Sequence, residues 1–459
     1  MRDAVVFLIV MLVLSASVRR PFVGLLLFSW LAYMRPQDLC WGFARTMRLS
    51  FVVAFVMVAG WLLYEKGRRP FTQWDVRTTM MCLLVVLVSI SFGFAEVQDD
   101  YTVRYFMEYL KIIAIALFTV GQVDSRQRLR ALCWTIALSL GFFGVKNGLL
   151  GLARPGSQIM RGPGGMLEDN NDFALALTMN IPLLWYLGYE ERQRLWVRRG
   201  CLIAVGLTVL TVLLTHSRGG FLAMVATAMW IAWRSGQLVR AVGVLAVLAA
   251  LFPIVVPAHV IERLGSIGDT QESSANARLT AWAAARNMIV DNPIWGVGMR
   301  NFQDSYPHYS VVPISPGDKT YVAHNSYLQI WAESGTPAFV TYLVLLGSVF
   351  LACGRVFRIG RQRIELAWAA NYARMMEATT VGFMVGAFFL NRGHFDLVYH
   401  WLALVTCLVL VVQREARAAP VLAAQGRGQG RVTVRWQGGP AAAGAGAGVV
   451  AGQHRTGWR

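Results

Sequence analysis

Ala323-His324-Asn325-Ser326-Tyr327-Leu328-Gln329-Ile330-Trp331-Ala332-Glu333-Ser334-Gly335 marks the point where a long polar segment turns back into apolar sequence. Asn325 or Ser326 can cap a new helix there, and Tyr327, Leu328, Ile330 and Trp331 give that helix an apolar side. Gly335-Thr336-Pro337 interrupts it before the apolar run from Ala338 to Cys353. His324 therefore stands at the mouth of a helix at the edge of an apolar layer. A helix N-terminus carries partial positive charge, which disfavours imidazolium and attracts anions, so a neutral histidine beside a bound phosphate is physically reasonable. A general base needs that arrangement; a simple capping or interfacial histidine is the other reading of the same residue.

Working outward, the 459-residue chain is 56% hydrophobic and only 15% charged, with a mean hydropathy of +0.48, which excludes an ordinary water-soluble protein. Apolar runs recur at lengths near the roughly 20 residues that cross a bilayer as helix, and none alternates with the period of a barrel strand. The expected fold is all-α, a polytopic membrane protein. Its apolar segments fall at 4–18, 21–34, 49–64, 75–95, 105–122, 128–150, 171–188, 200–215, 219–233, 238–256, 337–353, 375–391 and 398–413, which makes about 12–13 crossings. The first two, split by Arg19-Arg20-Pro21, form either a hairpin or one broken span.

A net charge of +18 would suggest nucleic acid in a soluble protein. Here most arginines lie in short connectors between spans, where they set orientation, so no nucleic-acid partner is implied. The arginine-rich connectors belong in the cytoplasm, and the remaining ones face out. Of 7 histidines, all but His454 then fall at or near the outer face. The six cysteines, at 40, 82, 133, 201, 353 and 407, stand singly, with no CxxC and no histidine pair nearby, so neither a metal site nor a disulfide framework is expected.

These marks divide the chain into N-terminal spans (1–150), core spans with an outer glycine-rich loop (151–256), a periplasmic loop domain (257–323), C-terminal spans (324–413) and a disordered cytoplasmic tail (414–459). In the loop domain, Ser273, Ser274 or Asn276 can cap a helix to about Val290 with Arg278, Trp282 and Arg286 along one side. Asp291-Asn292-Pro293 ends it, and Gly296, Gly298 and the prolines at 307, 313 and 316 mark irregular chain up to His324.

Four groups can carry chemistry. Arg218, in Thr215-His216-Ser217-Arg218-Gly219-Gly220, stands between two spans, where Ser217 can cap the second and the glycines leave a phosphate room to approach the backbone. Its readings are a pyrophosphate clamp or an interfacial arginine reaching headgroups. Arg278 offers a second cation, and Lys146 a further phosphate contact or a snorkelling side chain. Asn171, at the helix start after Gly162-Pro163-Gly164-Gly165, can bond a sugar or diphosphate, while Glu168, Asp169 and Asp172 are either metal ligands or ordinary acids at a capped helix start. In the last outer loop Arg392 can add to an anion site, and His394 or Asp396 can orient His324 or an acceptor.

The ordered set of motifs resembles the O-antigen ligase and O-antigen polymerase superfamily of bacterial membrane glycosyltransferases. The matching pieces are Ser217-Arg218-Gly219, Arg278-Leu279-Thr280-Ala281-Trp282 followed by Asn292-Pro293-Ile294-Trp295-Gly296-Val297-Gly298, and His324-Asn325-Ser326-Tyr327-Leu328 with Glu333-Ser334-Gly335. Tyr33-Met34-Arg35-Pro36-Gln37 is similar to a subgroup of O-glycosylation ligases found with exosortase systems. The resemblance implies an enzyme of the bacterial inner membrane that moves a glycan from undecaprenyl diphosphate at the periplasmic face, without cofactor or metal. In the ligase branch the acceptor is lipid A core or a protein hydroxyl; in the polymerase branch it is another lipid-linked glycan. It implies His324 as base and Arg218, Arg278 and Arg392 as diphosphate ligands, with Lys146, Asn171, Ser217, Trp282, Asn325, Tyr327, His394 and Asp396 as substrate contacts. Other readings are a transferase using Glu96, Asp99 or Asp100 as base, and a glycolipid flippase, which should line a route through the membrane with polar groups.

Overall fold

Polar side-chain caps begin six of the helices, one way in which an apolar chain marks its own turns. In the computed structural model, which describes residues 2–154, 156–191, 193–239, 242–243, 268–315 and 319–428 (side chains excepted at 268–275 and 419–428), the helices are α1 (Arg2–Arg19), α2 (Pro21–Tyr33), α3 (Leu49–Gly60, prolonged by a π turn at Trp61–Glu65), α4 (Val76–Gly93), α5 (Asp100–Gln122), α6 (Arg126–Ala153) and α7 (Asn170–Glu190). Then follow α8 (Leu195–Leu214), α9 (Arg218–Arg234), α10 (Gly268–Asp291), α11 (Phe302–Tyr309), α12 (Ser326–Gln362), α13 (Ala367–Ala387) and α14 (Asp396–Gly428). Asp75, Asp99, Ser125, Asp169, Ser217 and Asn325 cap α4, α5, α6, α7, α9 and α12, each side chain accepting from backbone N–H groups of the first turn. Asn325 takes two, from Tyr327 at 3.0 Å and Leu328 at 3.1 Å. Asn325→Ala is expected to lower stability by about 0.5–2 kcal/mol, read as a fall in Tm of the detergent-solubilised protein.

Among the described residues no strand occurs, only an isolated bridge between Arg161 and Asp169. The chain is an all-α, multi-pass membrane protein: α4, α6, α8, α12 and the Asp396–Ala418 part of α14 are long and apolar enough to cross a bilayer. The expected segment 238–256 lies almost wholly outside the described residues; every other expected segment falls on a helix. The remaining helices fall short of a full apolar span for simple reasons. The apolar helix α2 is short, as is Leu49–Glu65, and α5 carries Arg104, Glu108 and Lys111, the last two paired at 2.7 Å. The first two segments are separate helices folded together, with Val10 of α1, Leu27 and Leu31 of α2, and Leu49 and Val53 of α3 in one cluster.

Two compact units result, Met1–Glu415, which holds every side chain discussed below, and Ala416–Arg459. The core of the first lies around the last span: 83% of the apolar window of α14 is buried, against 22% for α8. Of the tail expected to be disordered from 414, the residues up to Gly428 continue α14, across Pro420. The region between Asp291 and His324 is corrected as well. Phe302 and Tyr306, four apart, bury themselves in a cluster with Ala281, Ala285, Met288 and Ala323, and that packing holds α11 helical despite Pro307.

The break in α12 does more than bend it. Gly335 stands at φ 77°, and a β-carbon there would come within 2.0 Å of the Ile294 carbonyl oxygen. Pro337 has no N–H to give the Glu333 carbonyl four residues back, so that oxygen instead accepts from Gly298 N at 2.9 Å and Ser91 Oγ at 2.8 Å. Thr336 N turns outward to the Pro293 carbonyl, 2.8 Å, and the freed Ala332 carbonyl accepts from Val297 N, 2.9 Å. Segment 293–298 is thereby pinned to α12 by main-chain bonds. The helix before it, α10, is brought alongside the His324 motif.

Candidate active site

Two helix N-termini frame the site. The turn between α8 and α9 places His216 in the left-handed region at φ 54°, and Ser217 Oγ accepts from Gly220 N at 3.1 Å, so Arg218 becomes the first helical residue with its side chain exposed. Asn170 donates from Nδ2 to the Thr215 carbonyl, 2.9 Å, tying the start of α7 to this turn. The expected room for a phosphate over the glycines is not there: a β-carbon on Gly219 would meet Phe389 Cβ at 2.8 Å, and one on Gly220 would meet Ala174 Cβ at 2.5 Å. These glycines admit the neighbouring helices instead, and an anion is left to the Arg218 guanidinium.

His324 precedes the second N-terminus, that of α12, in the left-handed region at φ 45°. Trp282 of α10 donates from Nε1 to the carbonyl of Ala323, 2.8 Å, and packs edge-on to Phe388, 5.6 Å between ring centres. The His324 side chain is exposed, yet the protein crowded around it, followed by the positive charge of Arg278, pushes its pKa below the ordinary histidine value, with Asp169 pulling weakly the other way. Arg278 is lowered in turn by burial and by the charge of Arg218. The two guanidinium groups and the imidazole thus act on one another although they come from α9, α10 and the start of α12. Two cations near one another, beside a histidine whose pKa burial and one of them lower, make a site for a multiply charged anion beside a base.

The remaining candidates distribute unevenly. Arg392 forms a two-pronged ion pair with the buried Asp172 through Nε and Nη2, and its backbone N–H donates to Ser326 Oγ at 2.8 Å. Ser326 Oγ also donates to the Leu390 carbonyl, 2.7 Å, so this loop is stapled to the first turn of α12 and Arg392 is committed to a carboxylate. His394 does not orient His324. It is buried edge-on to Tyr109, 4.9 Å between ring centres, its pKa pushed down to about 3 by burial and then by Arg300, and Nδ1 has no hydrogen-bond partner among the described residues. Asp396 begins α14, and the carboxylate whose charge reaches His324 is that of Asp169. Asn171 donates from Nδ2 to Asp169 Oδ1 at 3.0 Å and Asn170 Oδ1 at 3.2 Å. Since Asp169 caps α7 and Asp172 holds Arg392, these two acids weighed as metal ligands have structural partners. Lys146 is exposed, and no hydrogen bond or ion pair ties it to the cluster among the described residues. Asp99, the rival base, caps α5, and hydrogen bonds from Thr102 hold its carboxyl below the usual carboxylate range.

Directly beyond His324, Asn325 and Tyr327 begin the lining of a cavity of about 420 Å³ that continues along Leu328, Trp331, Phe339 and Leu343, with Trp282 and Phe388 on its far wall. Trp331 and Phe339 stack across the Gly335 break at 4.5 Å, and Trp331 Nε1 donates to Thr336 Oγ1 at 2.9 Å. Tyr327 donates its hydroxyl to the Met384 carbonyl, 2.8 Å, which leaves its ring to the cavity. The site therefore joins a cationic pole to an apolar trough.

Residues 203–343 match the family model described as O-Antigen ligase, a stretch that holds Ser217, Arg218, Arg278, Trp282 and His324. Residues 1–190 match a family of unknown function, DUF5935. No curated protein matches the chain.

Proposed function

We propose, on the premise that residues 203–343 carry an O-antigen ligase domain, that this membrane protein transfers a glycan from undecaprenyl diphosphate to a hydroxyl of lipid A core or protein on the periplasmic side of the inner membrane. The observation that supports the reading is the convergence of Arg218 at the capped start of α9, Arg278 on α10, which Trp282 ties to the Ala323 carbonyl, and His324 at the mouth of α12, with the charge of Arg218 bearing on Arg278 and that of Arg278 on His324. A diphosphate sits against the two guanidinium groups, and the isoprenoid tail of the donor enters the aromatic trough along α12. The acceptor hydroxyl attacks the anomeric carbon of the donor sugar, its proton passing to His324. The bond from that carbon to the diphosphate oxygen breaks, and undecaprenyl diphosphate leaves with its new charge met by Arg218 and Arg278. One direct displacement inverts the anomeric centre. Arg392, held by Asp172 and Ser326, is a positioning residue for the start of α12.

The pH dependence tests the assignment. A base must be neutral, so activity falls as pH drops through the His324 pKa, and the acid limb of kcat/KM lies below the roughly 6.5 of an unperturbed histidine. Removing the Arg278 charge makes protonation easier, so Arg278→Gln is expected to move that limb upward, toward the ordinary value, besides lowering the rate. An acid limb that stays in place in Arg278→Gln contradicts the role given to this pair.

A polymerase, with a lipid-linked glycan as acceptor, is the second reading the same pole and trough serve, because only the acceptor differs. Arg218, Arg278 and His324 stand together at one end of α12 and not along a route through the membrane, which favours a transferase over a flippase.

A further inference from the structure

We infer that the opposite end of the bundle holds a separate binding site for the phosphate headgroup of an anionic phospholipid. Between the start of α4, the second half of α12 and the second half of α14 lies a cavity of about 230 Å³ lined by Asp75, Arg77, Ser348, Leu351, Arg355 and Val412. Arg355 stands 29 residues beyond Ser326 on α12, roughly 40 Å along a helix rising 1.5 Å per residue, so this cavity is remote from the transfer site.

Its charge is unbalanced. Arg77 is 5% exposed, gives Nη2 to Asp75 at 2.7 Å and Nε to Thr406 Oγ1 at 3.1 Å, and has further donors left over. Arg355 is exposed, faces the same cavity and has no ion pair among the described residues. One carboxylate thus stands against two guanidinium groups, and one positive charge at the end of a spanning helix lacks a partner.

The surroundings identify a lipid and not a free anion. The cavity is smaller than the roughly 300–1,000 Å³ that encloses a drug-sized molecule, so it accommodates a headgroup and leaves the chains outside. Its rim is apolar and exposed, with Val76 61% and Leu351 68% accessible, as the path of an acyl chain requires. Cationic recesses between spanning helices near one surface bind anionic headgroups by this combination.

The test is a titration of the detergent-purified full chain with dioleoyl phosphatidylglycerol and with dioleoyl phosphatidylcholine, read by native mass spectrometry. Phosphatidylglycerol is expected to bind more tightly, and Arg355→Gln to weaken it about fivefold, the weight of one basic residue at an anionic surface, while phosphatidylcholine is unaffected. Arg358→Gln, exposed on the next turn of α12, is expected to leave both lipids unchanged. Equal affinity for the two lipids, equal losses in Arg355→Gln and Arg358→Gln, or displacement of phosphatidylglycerol by inorganic phosphate at comparable concentration would each overturn the proposal.

Discussion

His324→Ala is expected to lower transfer turnover by about 10² to 10⁴ while the protein still inserts, folds and binds its lipid-linked donor. The imidazole is exposed at the mouth of α12 and, among the described residues, makes no hydrogen bond that holds two helices together; the cap of α12 belongs to Asn325 and the tie to α10 runs through the Ala323 carbonyl. Its loss therefore removes a proton acceptor and little packing. His324→Gln keeps hydrogen-bonding capacity without a base near neutral pH and is expected to be as inactive as the alanine variant. A Tm within a degree or two of wild type beside a rate loss of this size separates a chemical role from a structural one. Unaltered turnover in either variant rules out His324 as the base.

Arg218→Ala is expected to cost about 10² to 10³ in kcat, the scale seen when a preorganised group facing developing charge is removed. Arg218 stands exposed as the first residue of α9, whose N-terminus adds partial positive charge to the same end of the helix. Arg218→Lys keeps the charge but not the planar fork, so only partial recovery is expected. The loss should fall mainly on kcat, because charge on the leaving oxygen grows as the glycosidic bond breaks. A rise in KM with kcat intact would make Arg218 a ground-state anchor only.

Which parts of this arrangement are legible in sequence follows from how far each interaction reaches. The caps at Ser217 and Asn325 and the break at Gly335-Thr336-Pro337 are local, and both the residue types and the structure agree on them. What the break is for is not local. The carbonyls of Glu333 and Ala332, freed at the break, accept from Gly298 and Val297, each 35 residues earlier in the chain, and nothing near Glu333 names those partners. Gly219 and Gly220 look like a phosphate cradle until Phe389 and Ala174 are seen filling the space. Arg392 looks like a free cation in a polar loop until Asp172 arrives from 220 residues away, and Asp172, following Glu168, Asp169, Asn170 and Asn171, reads in sequence as one more polar residue of a helix start. His394 reads as an outer-face histidine, yet α5 and α14 close over it.

The same distinction explains the site. Its three members lie far apart in sequence, at 218, 278 and 324. They influence one another because α10 is held alongside α12 by the 293–298 segment and by Trp282, and because α9 is anchored by its glycines against α7 and Phe389. Charge is the common thread. Burial and then the charge of Arg218 lower the Arg278 pKa, and burial and then the charge of Arg278 lower that of His324, so an anionic leaving group is met by two cations when it binds.

The central claim is tested most directly by reconstituting the full chain with a defined undecaprenyl-diphosphate glycan and offering lipid A core, a serine- and threonine-containing peptide and a second lipid-linked glycan in parallel. The account predicts a glycosylated acceptor and free undecaprenyl diphosphate in equal amounts, with inversion at the anomeric carbon and loss of both products in His324→Ala. Release of undecaprenyl diphosphate without a glycosylated acceptor, a product of retained configuration, or full product formation by His324→Ala would contradict it.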